Sequence, residues 1–233
     1  MHKDVDHCTV KEFIFKDFYC FGIVIKGDHD TVFKCEFYLE DWWEETSGVE
    51  VHGSYNVVKK RTFVSPGNGW SWMGVALVGV EHNTVLNCEF THISEAILSI
   101  NPHNYIIAKR ISYGYTGIHG YSECTSCVIK SNKIMYTGEA IILWKGVGKD
   151  YPHDNIIKEN IICDNYYGIS ISGYENEVYN NNICDNNIAF SLGGTSGNIL
   201  HHNNIIDNTK AFYSSSSAGD NTSDDGEGEG EGN

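Results

Sequence analysis

His119 and Tyr121 stand two residues apart, with Glu95 before them and Glu139 after them at comparable remove. An imidazole and a phenol this close can work as a proton-transfer pair, one taking a proton while the other gives one. Directed at the C5 proton of a uronic acid and its leaving oxygen, that is β-elimination. Two carboxyls facing each other across a gap serve the other way of cutting a sugar chain: one protonates the glycosidic oxygen, the other activates water. Tyr115 lies four residues before His119, and the five tryptophans are Trp42, Trp43, Trp70, Trp72 and Trp144. Flat aromatic rings beside acids suit pyranoses, whose C–H faces stack while their hydroxyls bond to carboxylates. A second polar group, Lys26, Glu50 and His52, lies nearer the N-terminus.

What positions these residues is a repeat. A short phrase returns nine times, starting at Cys8, Asp30, Asn56, Asn83, Asn104, Cys127, Asn155, Asn176 and Asn198, at spacings of 21 to 28 residues. Its third position is always aliphatic, from Val10 through Ile129 to Leu200, and its eighth reads Phe15, Phe37, Phe63 and Phe90 and then isoleucine from Ile111 to Ile205. A later column is always Gly or Ala, from Gly22 to Ala211, followed by an apolar residue. Apolar residues alternate with others inside each copy, which is strand periodicity, and no window keeps a 3.6-residue period. Asn132, Asn160, Asn181 and Asn203 share one position, and Asn165, Asn186 and Asn208 another. Asn accepts left-handed turns, and stacked amides can bond from copy to copy. A unit of this length cannot bury its own apolar face and must stack on its neighbours. The expected fold is therefore all-β: a right-handed, single-stranded parallel β-helix of about nine coils, a rod about 40 Å long at ~4.8 Å per coil. A leucine-rich repeat has a similar length, but its L-x-x-L-x-L signature and helical segment are missing.

The pattern N-x-I-x-x-N-x-I-x-x-N-x-x-G-I-x-I resembles the parallel β-helix repeats of the pectate-lyase-like superfamily, above all its NosD-like group, over roughly residues 8–213. That superfamily holds polysaccharide lyases, glycoside hydrolases, uronate epimerases, copper-site maturation proteins and surface adhesins, so the resemblance implies a fold more than an activity.

The domain expectation is a β-helix over residues 1–213 and a disordered acidic Gly/Ser/Glu tail over 214–233. Net charge is −15, and six of the acids lie in that tail (Asp220, Asp224, Asp225, Glu227, Glu229, Glu231), leaving about −9 on the body. An acidic surface excludes nucleic acid as a partner. It also disfavours a polyanionic substrate unless Lys26, Lys145, Lys149 or a cation helps. There is no run of ~18 apolar residues, so no membrane span is expected, and no leader peptide is evident. Met1 falls just before a repeat already under way, which reads as a piece cut from a longer chain with further domains. Of the eight cysteines, Cys35 and Cys88 fall in an inward column, Cys124-x-x-Cys127 is a lone pair, and Cys163 and Cys184 share a position on adjacent coils and could approach each other. None of this spacing makes a zinc site.

Function is added where the repeat departs from regularity. Three insertions, Leu39–Ser47, Ser65–Met73 and Trp144–Asp154, carry or adjoin all the tryptophans and should rim one face of the rod. Alternation along the Gly/Ala-apolar strand turns Ile118 inward and His119 and Tyr121 outward. The outward strip is apolar and aromatic in its middle, with Ala76, Val78, Leu98, Ile100, Ile142 and Trp144, so something covers it. Glu95 and Glu139 occupy the same repeat position two coils apart, about 10 Å. His119, Tyr121, Glu95 and Glu139 are therefore the expected catalytic residues. Trp42, Trp43, Trp70, Trp72, Trp144, Tyr115, Lys26, Glu50 and His52 are the expected substrate contacts. No metal ligand set is visible and no cofactor is required, a divalent cation such as calcium being the one left open. The favoured reading is an extracellular or cell-surface carbohydrate-active protein, a polysaccharide lyase or glycoside hydrolase. Its alternatives are a non-catalytic adhesion or oligomerising module, which would pair copies through the apolar strip, and a NosD-like copper-site maturation protein.

Overall fold

The computed structural model describes residues 6–16, 18, 20–39, 46–65, 72–78, 81–100, 103–146, 150–194, 196–214 and 221–224. Every regular element among them is a strand, and no helix is long and apolar enough to cross a membrane. Each coil contributes three strands, as in Ile156–Lys158, Ile161–Cys163 and Tyr167–Ile171. All pairing is parallel and joins each strand to the equivalent one in the next coil, which gives sheets of ten, nine and nine strands. The expected right-handed β-solenoid is the observed fold.

The corners carry the sequence signature. Each coil turns through residues with positive φ, such as Tyr136, Glu159, Asp164 and Asn180, a conformation that costs most L-residues but is allowed singly. Beside these turns, inward Asn side chains form continuous ladders. The Asn160 amide donates to Asn181 Oδ1 at 2.9 Å and to the Ile129 carbonyl at 3.1 Å, and its backbone N–H also donates to Asn181 Oδ1. Asn165 repeats this with Asn186, and Asn155 with Asn176. These are buried peptide groups at places where the strands stop, and the Asn side chains supply their partners.

Between the sheets lies one continuous core. Phe15, Phe37, Phe63 and Phe90 stack ring on ring at 4.7–4.8 Å, the rise of one coil. The Gly/Ala column faces this stack. A Cβ on Gly74 would sit 2.5 Å from Phe90 Cε1, which explains glycine wherever the next coil brings phenylalanine (Gly22, Gly48, Gly74) and alanine only where it brings isoleucine. Val85, Ile129, Ile134, Ile157 and Ile162 are buried as expected, as are Cys35 and Cys88. Burial pushes the Cys88 thiol up to about 12, as for a structural cysteine. Arg61 takes the Asn ladder position between these two cysteines; it is 2 % exposed, its guanidinium nitrogens have no partner, and burial lowers its pKa to about 10. Cys163 and Cys184 form a disulfide with Cα atoms 4.6 Å apart.

The span expected to be an unstructured tail carries strand in two places, Ser214 at the end of Lys210–Ser214 and the segment Thr222–Asp224. Thr222–Asp224 forms a tenth strand of the first sheet, paired with Ile199–His201. The cause is Asn221, whose Oδ1 receives the Asn198 amide at 2.8 Å and so extends the ladder by one rung. Its composition concealed it, because the rung needs one Asn at coil spacing and no apolar residue. The other tail residues, 215–220 and 225–233, lie outside the described ones.

Truncating a ring in the middle of the stack removes contacts to both neighbours. Phe63→Ala should lower the unfolding free energy by ~3–5 kcal/mol in denaturant titrations. Gly74→Ala, which adds a methyl against Phe90, should cost ~1–3 kcal/mol.

Candidate functional site

The third sheet carries the expected residues on its outward face. In strands Glu95–Ser99, Thr116–Tyr121 and Glu139–Trp144, the register aligns Glu95 with Thr116 and Thr116 with Glu139, and then Leu98 with His119 and His119 with Ile142. The two glutamates are therefore two strand spacings apart, about 10 Å, as the repeat implied. His119 Nδ1 lies 2.5 Å from Glu95 Oε1 in the previous coil. Against the carboxylate, Nδ1 carries the proton and donates it. His119 Nε2 is buried without a partner, and the His119 ring is packed by Tyr121 at 5.2 Å and Trp144 at 6.3 Å. Glu95 stays open to solvent at 24 % side-chain exposure, against 16 % for His119. The carboxylate is thus the reachable member of the pair.

Glu139 differs from Glu95. Burial raises its pKa above the ordinary carboxylate value, and nearby His119 opposes this in part. Burial also raises the pKa of Tyr167, its neighbour in register, with smaller contributions from Tyr166 and Glu139. Two carboxyls of one column thus have unlike surroundings: one bonded to an imidazole, the other desolvated. Trp144, aligned with Tyr121, is 46 % exposed. It borders a trough of about 430 Å³ whose polar lining includes Ser170, Ser172 and Ser191. Tyr121 rests on Gly146, where a Cβ would fall 2.2 Å from its hydroxyl, so this turn demands glycine at φ 57°. Tyr115 is exposed beside the glutamate column.

Other expected contacts stand apart. Glu50 and His52 are hydrogen-bonded to each other, and Lys26 is exposed beside a 290 Å³ hollow in the first coil. Glu50 aligns with Ala76, and Ala76 with Leu98, so this group is three coils from His119. Trp42, Trp43 and Trp70 lie outside the described residues; Trp72 starts the strand Trp72–Leu77. Ala76, although on the outward face, is 1 % exposed. Lys145 lies over the Tyr151 ring at 4.4 Å and does not point into the trough as a free cation.

Stacked three-strand coils with Asn-laddered corners make this a parallel β-helix repeat protein. A family profile described as "Periplasmic copper-binding protein (NosD)" matches residues 6–187 and 144–227, and the chain belongs to that family. No curated protein matches the sequence. Among solved structures, a tailspike mutant of E. coli bacteriophage HK620 in complex with pentasaccharide is similar at TM-score 0.72 and 15 % identity, covering 87 % of this chain and 42 % of that one. A second complex of a tailspike mutant with pentasaccharide gives TM-score 0.69 at 14 % identity, covering 85 % and 44 %. A double mutant of the same tailspike gives TM-score 0.68 at 12 % identity, covering 93 % and 48 %. The chain thus spans less than half the length of these tailspikes.

The copper in the family's description asks for imidazole, thiolate or thioether ligands. Cys124 and Cys127 are buried side by side, and Met73 and Met135 lie on strands of different sheets. Among the described residues, one group brings three ligand atoms together: Glu81, His82 and His103. Two imidazoles and a carboxylate fit copper(II). None of these three residues was singled out from the sequence alone. Their signal was present in the shared column His7, His29, His82 and His103.

The raised pKa of Glu139 fixes the sign of a pH effect. A carboxyl whose folded pKa exceeds its unfolded pKa favours folding below the unfolded value and loses that contribution as pH rises through the folded one. Glu139→Gln should therefore be more stable than the wild type at neutral pH. That advantage should vanish on acidification below the ordinary carboxylate range, as read from denaturant midpoints across pH.

Proposed function

We propose that the outward face of the third sheet binds and cleaves a polysaccharide, with Glu139 as acid and Glu95 as base in glycosidic hydrolysis. The observation that carries this reading is the pair of carboxyls in one register column held in unlike surroundings: Glu95 bonded by His119, Glu139 desolvated. Their spacing of about 10 Å is close to the ~6.5–9.5 Å that leaves room for a water on the far side of the sugar. Glu139 gives its proton to the leaving oxygen as the anomeric C–O bond breaks, while Glu95 takes one from the attacking water. His119 acts as a positioning residue, holding Glu95 aimed. Trp144 offers a stacking face, and the serine-lined trough beyond it takes the next sugar. Nothing in this chemistry calls for a cofactor. Elimination by His119 and Tyr121 fits less well, because His119 Nε2 is buried against aromatic rings. The pentasaccharide-bound tailspikes, similar in fold, favour a saccharide ligand. A place outside the cytoplasm fits the periplasmic family description and the Cys163–Cys184 disulfide.

The test is incubation with neutral and acidic polysaccharides while following reducing ends and near-ultraviolet absorbance. Reducing ends should appear without absorbance, and Glu139→Gln or Glu95→Gln should lower turnover by ~10²–10⁴. Absorbance from an unsaturated product would move the chemistry to His119 and Tyr121. Activity unchanged in both glutamate variants, or no cleavage but retained binding, would leave a carbohydrate-binding surface without catalysis.

A further inference from the structure

We infer that Glu81, His82 and His103 form a surface site for a borderline divalent transition-metal ion, Cu²⁺, Zn²⁺ or Ni²⁺, that bridges two adjacent coils. The group sits on the turn from the third sheet back to the first, after the strands Trp72–Leu77 and Glu95–Ser99, so His103 lies beyond the end of β-strand Glu95–Ser99 opposite to Glu95. The site does not depend on the carbohydrate reading.

Three observations support it. First, the geometry converges: Glu81 Oε2 lies 3.8 Å from His82 Nε2 and 3.4 Å from His103 Nδ1, and one ligand atom from each residue falls within 4.8 Å of the other two. The two rings lie 25° from parallel, so an ion between the three ligand atoms takes all of them once the rings tilt further toward each other. Second, the imidazoles are held in place. His82 and His103 stack at 5.0 Å, and the stack continues below through Tyr55. Both sit at left-handed backbone positions, φ 59° and 60°, which histidine adopts only at a cost. The same column in later coils holds Ser126, Asp154, Glu175 and Gly197. Third, the carboxylate is free where its equivalents are not. The residue preceding the left-handed one is Asp6 in the first coil and Asp28 in the second. Asp6 accepts from the Asp28 N–H, and Asp28 from the Ser54 N–H. Glu81 is one carbon longer and turns its carboxylate to the imidazoles instead. The His7–His29 stack, at 4.9 Å, therefore has the rings but no spare carboxylate.

The donor set selects the metal. Two imidazoles and one carboxylate suit Cu²⁺, Zn²⁺ and Ni²⁺; Ca²⁺ and Mg²⁺ ask for oxygen cages of six or more. Three protein ligands on an exposed turn leave coordination positions open to water or to a further donor.

The experiment is calorimetric titration of the full chain with Zn²⁺ alone and with Cu²⁺ alone, paired with electron paramagnetic resonance of the copper form and thermal melts. Glu81→Gln and His103→Asn, which keeps a residue tolerant of the left-handed turn, should each weaken binding at this site at least about tenfold. They should remove the metal-dependent rise in melting temperature. His29→Ala should leave both unchanged. The copper spectrum should show coupling to two nitrogens, reduced to one in His103→Asn, and excess Ca²⁺ should not compete. Metal affinity and stoichiometry equal to wild type in Glu81→Gln and His103→Asn would overturn the assignment, as would equal loss in His29→Ala.

Discussion

The peptide groups of the described strands find their partners in neighbouring coils, and that requirement governs the rest. Among the described residues no coil pairs its own strands, since all three sheets run only between equivalent strands. At the corners, where strand pairing lapses, inward asparagines carry the hydrogen bonds on: Asn132 to Asn160, Asn160 to Asn181, Asn181 to Asn203. An unpaired buried peptide group costs ~1–3 kcal/mol, so a missing rung is felt in two coils at once. The phenylalanine stack and the glycine column opposite it obey the same one-coil rise.

The candidate sites inherit this geometry. Residues 20 to 24 positions apart in sequence become neighbours at strand spacing, so Glu95 meets His119 and His82 meets His103 with no loop to fold. Groups held by paired strands and tight turns are placed before any ligand arrives. The cost is a fixed pitch, in which functional groups on one face stand whole numbers of rungs apart. The 10 Å between Glu95 and Glu139 is one of the few separations such a lattice offers.

The fold was legible because it is periodic: nine copies of one phrase show which positions point inward, and burial of Val85, Ile129 and Ile162 follows from that alone. Strand alternation likewise turned His119 outward and put Glu95 and Glu139 in one column. Four features were not legible. The contact of His119 with Glu95 depends on rotamers, which a repeat does not specify. The Glu81–His82–His103 group depends on a carboxylate one carbon longer than its equivalents, and residue columns do not record reach. Arg61 in the ladder position between Cys35 and Cys88 follows no rule of the repeat, and nothing in the structure explains it. The tail strand was hidden for the opposite reason: one asparagine, Asn221, was enough to continue a ladder whose other members sit in apolar surroundings.

The Cys163–Cys184 bond joins residues 21 apart, which in this rod means one coil tied to the next. A solenoid loosens most readily from its ends, because each coil is held only by its neighbours. The tie makes one junction permanent. Pulled from its C-terminal end, the rod would shed the coils beyond Cys184 and then hold, with the loop between the two cysteines adding no length to the released chain. Reduced, it would pay out through the same point without a pause.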